Sequence, residues 1–207
     1  MNFEGIGRFF GEEGTFTVLM TRLFDTCLLS ILWLVTSLPI FTIGPATQAL
    51  YCTVLKIREG REGYIIRDYL KAFRSGFLQS TALGMIMMGS GLFLLLDIYW
   101  AGLAEDPFFH LLIPVFILLL FVWGGILMYV FAIQAMFVGS VRETLLRAAW
   151  LAFAHKGRTF LMLATALALS GMIFLAPILL IVNTALITMI NAGILLQIFR
   201  PYLHREE

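Results

Sequence analysis

Few residues in this sequence could carry chemistry, and they are scattered. Asp25 and Asp97 are the carboxylates that stand beside long apolar stretches, and an acid inside a membrane is by default a candidate for ion or proton coupling. Both fall near the ends of those stretches, Asp25 three residues from Arg22 and Asp97 beside Tyr99 and Trp100, so an ordinary place at a water boundary competes with a coupling role. His110, His155 and His204 are far apart, form no His-x-x-x-His pair and have no carboxylate spaced to complete a metal or hydrolytic site. Cys27 and Cys52 sit in apolar surroundings without Cys-x-x-Cys spacing, which leaves no redox or zinc motif. Gly5-Ile6-Gly7-Arg8-Phe9-Phe10-Gly11 misses the glycine spacing of a phosphate loop and follows no strand; it reads as a flexible start to an N-terminal interfacial helix. These residues predict no enzyme, no metal and no cofactor.

The elements that must position them are set by composition. Of 207 residues, 60% are apolar and 13% charged, against about 45–50% and 25% in soluble domains. Lys+Arg (14) and Asp+Glu (13) nearly cancel, which removes the basic excess that nucleic-acid binding needs. Four stretches carry no Asp, Glu, Lys or Arg: Thr26 to Leu55, Ser75 to Leu96, Pro107 to Val141 and Thr159 to Phe199. Since about 20 apolar residues of helix cross a bilayer, the expectation is an all-α membrane protein, a single integral membrane domain over residues 1–207 with the lipid bilayer as its first partner. Five to six transmembrane helices are expected. A proline-broken short helix follows the first span, and amphipathic helices lie at the cytoplasmic interface.

The second stretch predicts one helix, Phe77 to Gly102. The third predicts Leu111 to Val138, with Pro114 in its first turn and Gly124-Gly125 as a place to bend. The fourth divides at Pro177 into Thr159 to Leu175 and Ile178 to Phe199, with Asn183 and Asn191 facing protein. Within the first, Pro39, Gly44 and Pro45 forbid a continuous helix, so a span should end in a break and a short helix should return from Pro45 to Ile57. Irregular backbone at that depth must be covered, so the break should be buried. The segment between Gly102 and Phe109 lacks basic residues, whereas Lys56 to Arg74 and Arg142 to Arg158 are rich in them. The positive-inside rule then favours six crossings in the plasma membrane with both termini cytoplasmic, over five that strand Arg8 and Arg22 outside. No signal-peptide cleavage site precedes the first span, so the N-terminus should be retained.

Two stretches are basic and amphipathic. In Tyr64 to Phe77, Ile66, Leu70, Phe73 and Phe77 recur at helical spacing, with Arg67, Lys71 and Arg74 on other faces. In Arg142 to Lys156, Leu145, Leu146, Ala149, Trp150 and Phe153 share one side, opposite Arg142 and Arg147. These five basic residues are candidates for anchoring anionic lipid or docking a partner. Small residues Ser80, Gly84 and Gly91, and again Ala164, Ala168 and Gly171, form faces suited to close helix packing or a subunit interface.

The stretch Leu32-Trp33-Leu34-Val35-Thr36-Ser37-Leu38-Pro39-Ile40-Phe41-Thr42-Ile43-Gly44-Pro45-Ala46-Thr47-Gln48-Ala49-Leu50 resembles the signature of the YesL-like bacterial membrane proteins. Asp68-Tyr69-Leu70-Lys71-Ala72-Phe73-Arg74-Ser75-Gly76-Phe77 is similar to the same family's aromatic and basic segment, with Gly76 where a polar residue is expected. The resemblance marks Pro39, Thr42, Gly44, Pro45 and Thr47 as signature residues of the broken helix. It implies no catalytic site. It also implies an accessory subunit beside carbohydrate ABC-importer components, with the importer's permease and ATPase subunits as partners. The alternative is an independent secondary transporter with Asp25 or Asp97 as coupling acid. The chain has no Walker loop and cannot be the ATPase itself, and it lacks the cytoplasmic Glu-Ala-Ala…Gly motif expected of an importer permease.

Overall fold

A computed structural model describes residues 15–60, 63–137, 139–171 and 180–203. Long uncharged stretches satisfy their own backbone polar groups best as helices, and the described residues contain no strand. The helices are α1 (Thr15–Thr36), α2 (Ile43–Arg58), α3 (Ile65–Ser75), α4 (Phe77–Leu103), α5 (Pro107–Met136), α6 (Val141–Ala154), α7 (Lys156–Gly171) and α8 (Leu180–Leu203), with one 3₁₀ turn, Ile40–Thr42, between α1 and α2. Among the described residues two helices are long and apolar enough to cross a membrane: α4, with 27 residues, and the 29 residues Phe108–Met136 of α5. At 1.5 Å per residue each exceeds the roughly 30 Å of a hydrocarbon core.

The short helix α2 is the axis of the bundle, packed against α1, α3, α4, α5 and α8. Ala46, Ala49, Leu50 and Val54 are wholly buried on it. One apolar cluster joins Tyr51 to Leu83, Tyr129, Ile133 and Leu195, and a second joins Leu50 and Val54 to Leu29, Tyr69 and Ala185. Large apolar side chains also face outward, among them Leu78, Phe93, Leu111, Leu118 and Leu167. Helices α4 and α5 form a hairpin. At its open end the Gln79 side chain donates to the Gly139 carbonyl at 2.6 Å, which leaves Glu105 and Asp106 in the turn at the far end.

Several boundaries differ from the sequence expectation. Helix α1 already includes Arg22 and Asp25, so the first uncharged stretch begins inside a helix. Helix α2 starts at Ile43, two residues before Pro45; the first-turn N–H groups have no intrahelical acceptor, so Pro45 costs no hydrogen bond there. The first-turn proline of α5 is Pro107, not Pro114. The Asp106 carboxylate accepts from the Phe108 N–H at 2.9 Å and caps the helix, which leaves Pro114 in its interior. Helix α6 opens with a capping box in which the Ser140 N–H donates to Glu143 at 3.1 Å and the Glu143 N–H donates to Ser140 Oγ at 3.3 Å. The expected interruption at Pro177 and the glycine-rich segment from Gly5 to Gly11 lie outside the described residues.

Candidate functional site

The signature residues form a turn in which Thr42 pairs with the preceding backbone. Thr42 Oγ1 donates to the carbonyls of Thr36 (2.7 Å) and Pro39 (2.6 Å), while the Thr42 N–H donates to Pro39 (2.9 Å) and the Ser37 N–H to Trp33 (2.9 Å). Thr42, Gly44, Pro45 and Ala46 are buried, but Leu38 (77% exposed), Ile40 and Phe41 point outward. The break, expected to be buried, is buried at Thr42 and at Gly44, Pro45 and Ala46 but exposed from Leu38 to Phe41. The hydrogen bonds of Ser37 and Thr42 pair part of this backbone, which lowers the cost of presenting apolar side chains to the surroundings.

Around the turn, three helices are tied together by hydroxyls. The Trp33 indole N–H donates to Thr47 Oγ1 at 3.1 Å, and Thr47 donates onward to the Ile43 carbonyl at 2.7 Å. Thr36 Oγ1 lies 2.7 Å from the Tyr69 hydroxyl, which also reaches the Ala46 carbonyl at 3.3 Å. Burial pushes the Tyr69 hydroxyl up to about 12, against the opposing pull of its hydrogen bond with Thr36, so this contact stays neutral at physiological pH. Gly44 then meets α4 backbone to backbone. A Cβ on Gly44 would run into the Ser80 carbonyl, and one on Gly84 would stand 3.0 Å from the Gly44 Cα. Ser80 and Gly84 are one helical turn apart, the small-x-x-x-small pattern that permits such an approach. Further along, Gly91 makes room for the Trp123 ring, whose N–H donates to Ser90 Oγ at 2.9 Å. The Ser80, Gly84 and Gly91 face thus packs within the molecule, whereas Ala164, Ala168 and Gly171 lie on an exposed side of α7.

Next to this crossing is a cavity of about 310 Å³ between α2, α4, α5, α7 and α8, with Gly44, Thr47, Tyr51, Met87, Trp123 and Asn183 among its walls. Hydroxyl, amide and thioether groups line it, and among the described residues no charged side chain does. Neither Asp25 nor Asp97 contributes. Asp25 is on α1 one residue before Thr26, whose hydroxyl donates to Met189 Sδ at 3.1 Å, and Asp97 lines a separate cleft near the far end of α4. Asn191 is buried as expected and accepts from Thr165 Oγ1 at 3.2 Å.

The amphipathic helices carry their basic residues outward, with Arg67, Lys71, Arg74, Arg142 and Arg147 all exposed. Their apolar stripes are divided: Phe73 and Leu145 pack against the buried clusters, and other members turn outward. On α3 the buried residues are Tyr69 and Ala72, while Ile66 and Leu70 face out and line an open groove with Arg67, Lys71 and Arg74. On α6 the buried residues are Thr144, Ala148, Leu151 and Ala152, while Leu146, Trp150 and Phe153 face out. Small and hydroxylic residues such as Ala72, Thr144, Ala148 and Ala152 form much of the buried side of these helices. Two basic residues that sequence reasoning did not single out tie the bundle. Arg58 Nη2 donates to the Met189 carbonyl at 2.6 Å over the space left by Gly193, and Lys56 pairs with Asp68 at 3.5 Å. Neither partner is signalled by spacing. Among the described residues no group of three His, Cys, Asp or Glu side chains could hold a metal ion.

These features define an all-helical protein organised on a buried short helix after a proline break, with two helices of membrane-crossing length. The module from α1 to α4 coincides with a family match, since residues 26–98 match the family described as "Protein of unknown function, DUF624". The chain is also 27% identical over 184 residues to "Uncharacterized protein YesL" of Bacillus subtilis (strain 168), which covers 86% of this chain and 87% of that protein. The similarity to YesL thus extends over most of both chains. No solved structure matches it.

Proposed function

We propose that the chain is a non-enzymatic, multi-pass protein of the bacterial plasma membrane that serves as an accessory subunit of a carbohydrate ABC importer. The outward apolar side chains of α4 and α5 support the membrane reading, because lipid tails solvate such a surface and water does not. The acidic α4–α5 turn and the basic connections elsewhere support an orientation with α3 and α6 on the cytoplasmic side.

The observation that carries the docking role is the outer face of α3. Arg67, Lys71 and Arg74 are exposed beside Tyr64, Ile66 and Leu70, and among the described residues none of the three basic groups has an ion pair. An apolar stripe flanked by free cations suits an amphipathic or acidic element of a neighbouring subunit. The importer as that neighbour rests on the resemblance of the signature segment. The test is purification of the tagged full chain in mild detergent, with identification of co-purifying proteins and measurement of sugar uptake after deletion. Importer permease and ATPase subunits should co-purify, and uptake should fall. Purification without them, together with unchanged uptake, contradicts the reading.

A further inference from the structure

Far from α3, the last turns of α4 and the first half of α5 enclose a cleft of about 450 Å³, within the size range of small-ligand sites. One carboxylate, Asp97, lines it, together with Trp100, Phe109, Phe116, Leu112 and Ala101. Asp97 is half-buried and has no ion pair among the described residues. No Lys or Arg occurs between Arg74 and Arg142, and His110, next to Phe109, is the one histidine of that stretch. The other acids of this region, Glu105 and Asp106, add negative charge. Tyr99 packs edge-on against Trp100 with centroids 6.3 Å apart, and Phe108 does the same to Phe109 at 6.0 Å, which steadies two of the aromatic walls.

We propose that this cleft binds an alkylammonium group, with Asp97 as its counter-ion and Trp100, Phe109 and Phe116 as its aromatic walls. Aromatic rings attract organic cations through their quadrupole, and the attraction grows when the cation is desolvated. A bare metal cation is disfavoured because it would need about six oxygen ligands, and the cleft offers one carboxylate among apolar side chains. An anion is repelled by Asp97, Glu105 and Asp106. The ammonium can be borne by a lipid headgroup such as ethanolamine or by a free cation such as choline. The assignment does not depend on the role proposed for α3.

The full chain, purified in detergent, is to be dialysed to equilibrium against radiolabelled choline. Binding should be saturable, displaced by ethanolamine and unaffected by sodium chloride at matched ionic strength. Asp97→Asn should weaken it about tenfold or more, as should Trp100→Leu, with helical content and elution position unchanged. In a second arm, protein from mixed phosphatidylethanolamine and phosphatidylglycerol vesicles is analysed for retained lipid. Preferential retention of phosphatidylethanolamine that is lost in Asp97→Asn assigns a headgroup, and choline binding without that preference assigns a free cation. Absence of both signals in the natural chain, or persistence of either unchanged in Asp97→Asn, overturns the proposal.

Discussion

At the scale of single residues, the account turns on contacts that only small or hydroxylic side chains can make. Gly44 is the most constrained, because the atom facing its missing Cβ is the backbone carbonyl of Ser80 and cannot swing aside. Gly44→Ala should therefore separate α2 from α4 and destabilise the protein by about 1–3 kcal/mol, as overpacking does elsewhere. Ser80→Ala should be nearly neutral, because the Ser80 hydroxyl donates to the Gly76 carbonyl of the preceding turn, a local bond with little bearing on the crossing. Thermal unfolding in detergent measures both. An unchanged midpoint for Gly44→Ala contradicts the close approach. The break itself was legible in the sequence, since Pro39, Gly44 and Pro45 cannot continue one helix. The partners of its hydroxyls were not. Thr36 meets Tyr69 across 33 positions, and no local pattern encodes how α3 folds back to deliver that tyrosine.

Among the elements, α2 was legible as a short helix but not as the axis of the bundle. A helix buried in protein on all sides and one surrounded by lipid show the same apolar periphery, so composition alone does not distinguish them. The amphipathic helices were legible as basic, amphipathic elements, but the residues that seat them were not. Helices α3 and α6 turn Ala72, Thr144 and Ala148 inward and leave Ile66, Leu70, Leu146 and Trp150 outside. Close helix contact selects small residues when the surroundings are as apolar as the interior. The exposed face of α3 leads to a prediction about the element as a whole. Reversing Arg67, Lys71 and Arg74 to Glu forfeits attraction to anionic lipid worth about 1 kcal/mol per basic residue, too little to extract a protein with several spans. The altered chain should still be recovered from membranes with its helical content intact but should lose the importer subunits during purification. Retention of those subunits through the triple reversal contradicts docking by α3.

For the whole molecule, the central claim is that the bundle lies across a bilayer with its basic helices inside and the α4–α5 turn outside. The hairpin geometry makes this directly measurable, because Gln79 and Gly139 meet at one end while Glu105 stands at the other, beyond the 27 residues of α4. Exposed positions are available on both sides: Glu105 in the turn and Arg147 on α6. With Cys27 and Cys52 replaced by Ala, single cysteines are to be introduced at Glu105 and at Arg147. Each chain is then treated in intact cells with a thiol reagent that cannot cross the membrane. The Glu105→Cys chain should react in intact cells, and the Arg147→Cys chain only after the membrane is permeabilised. Reaction of both in intact cells, or of neither until permeabilisation, contradicts the arrangement.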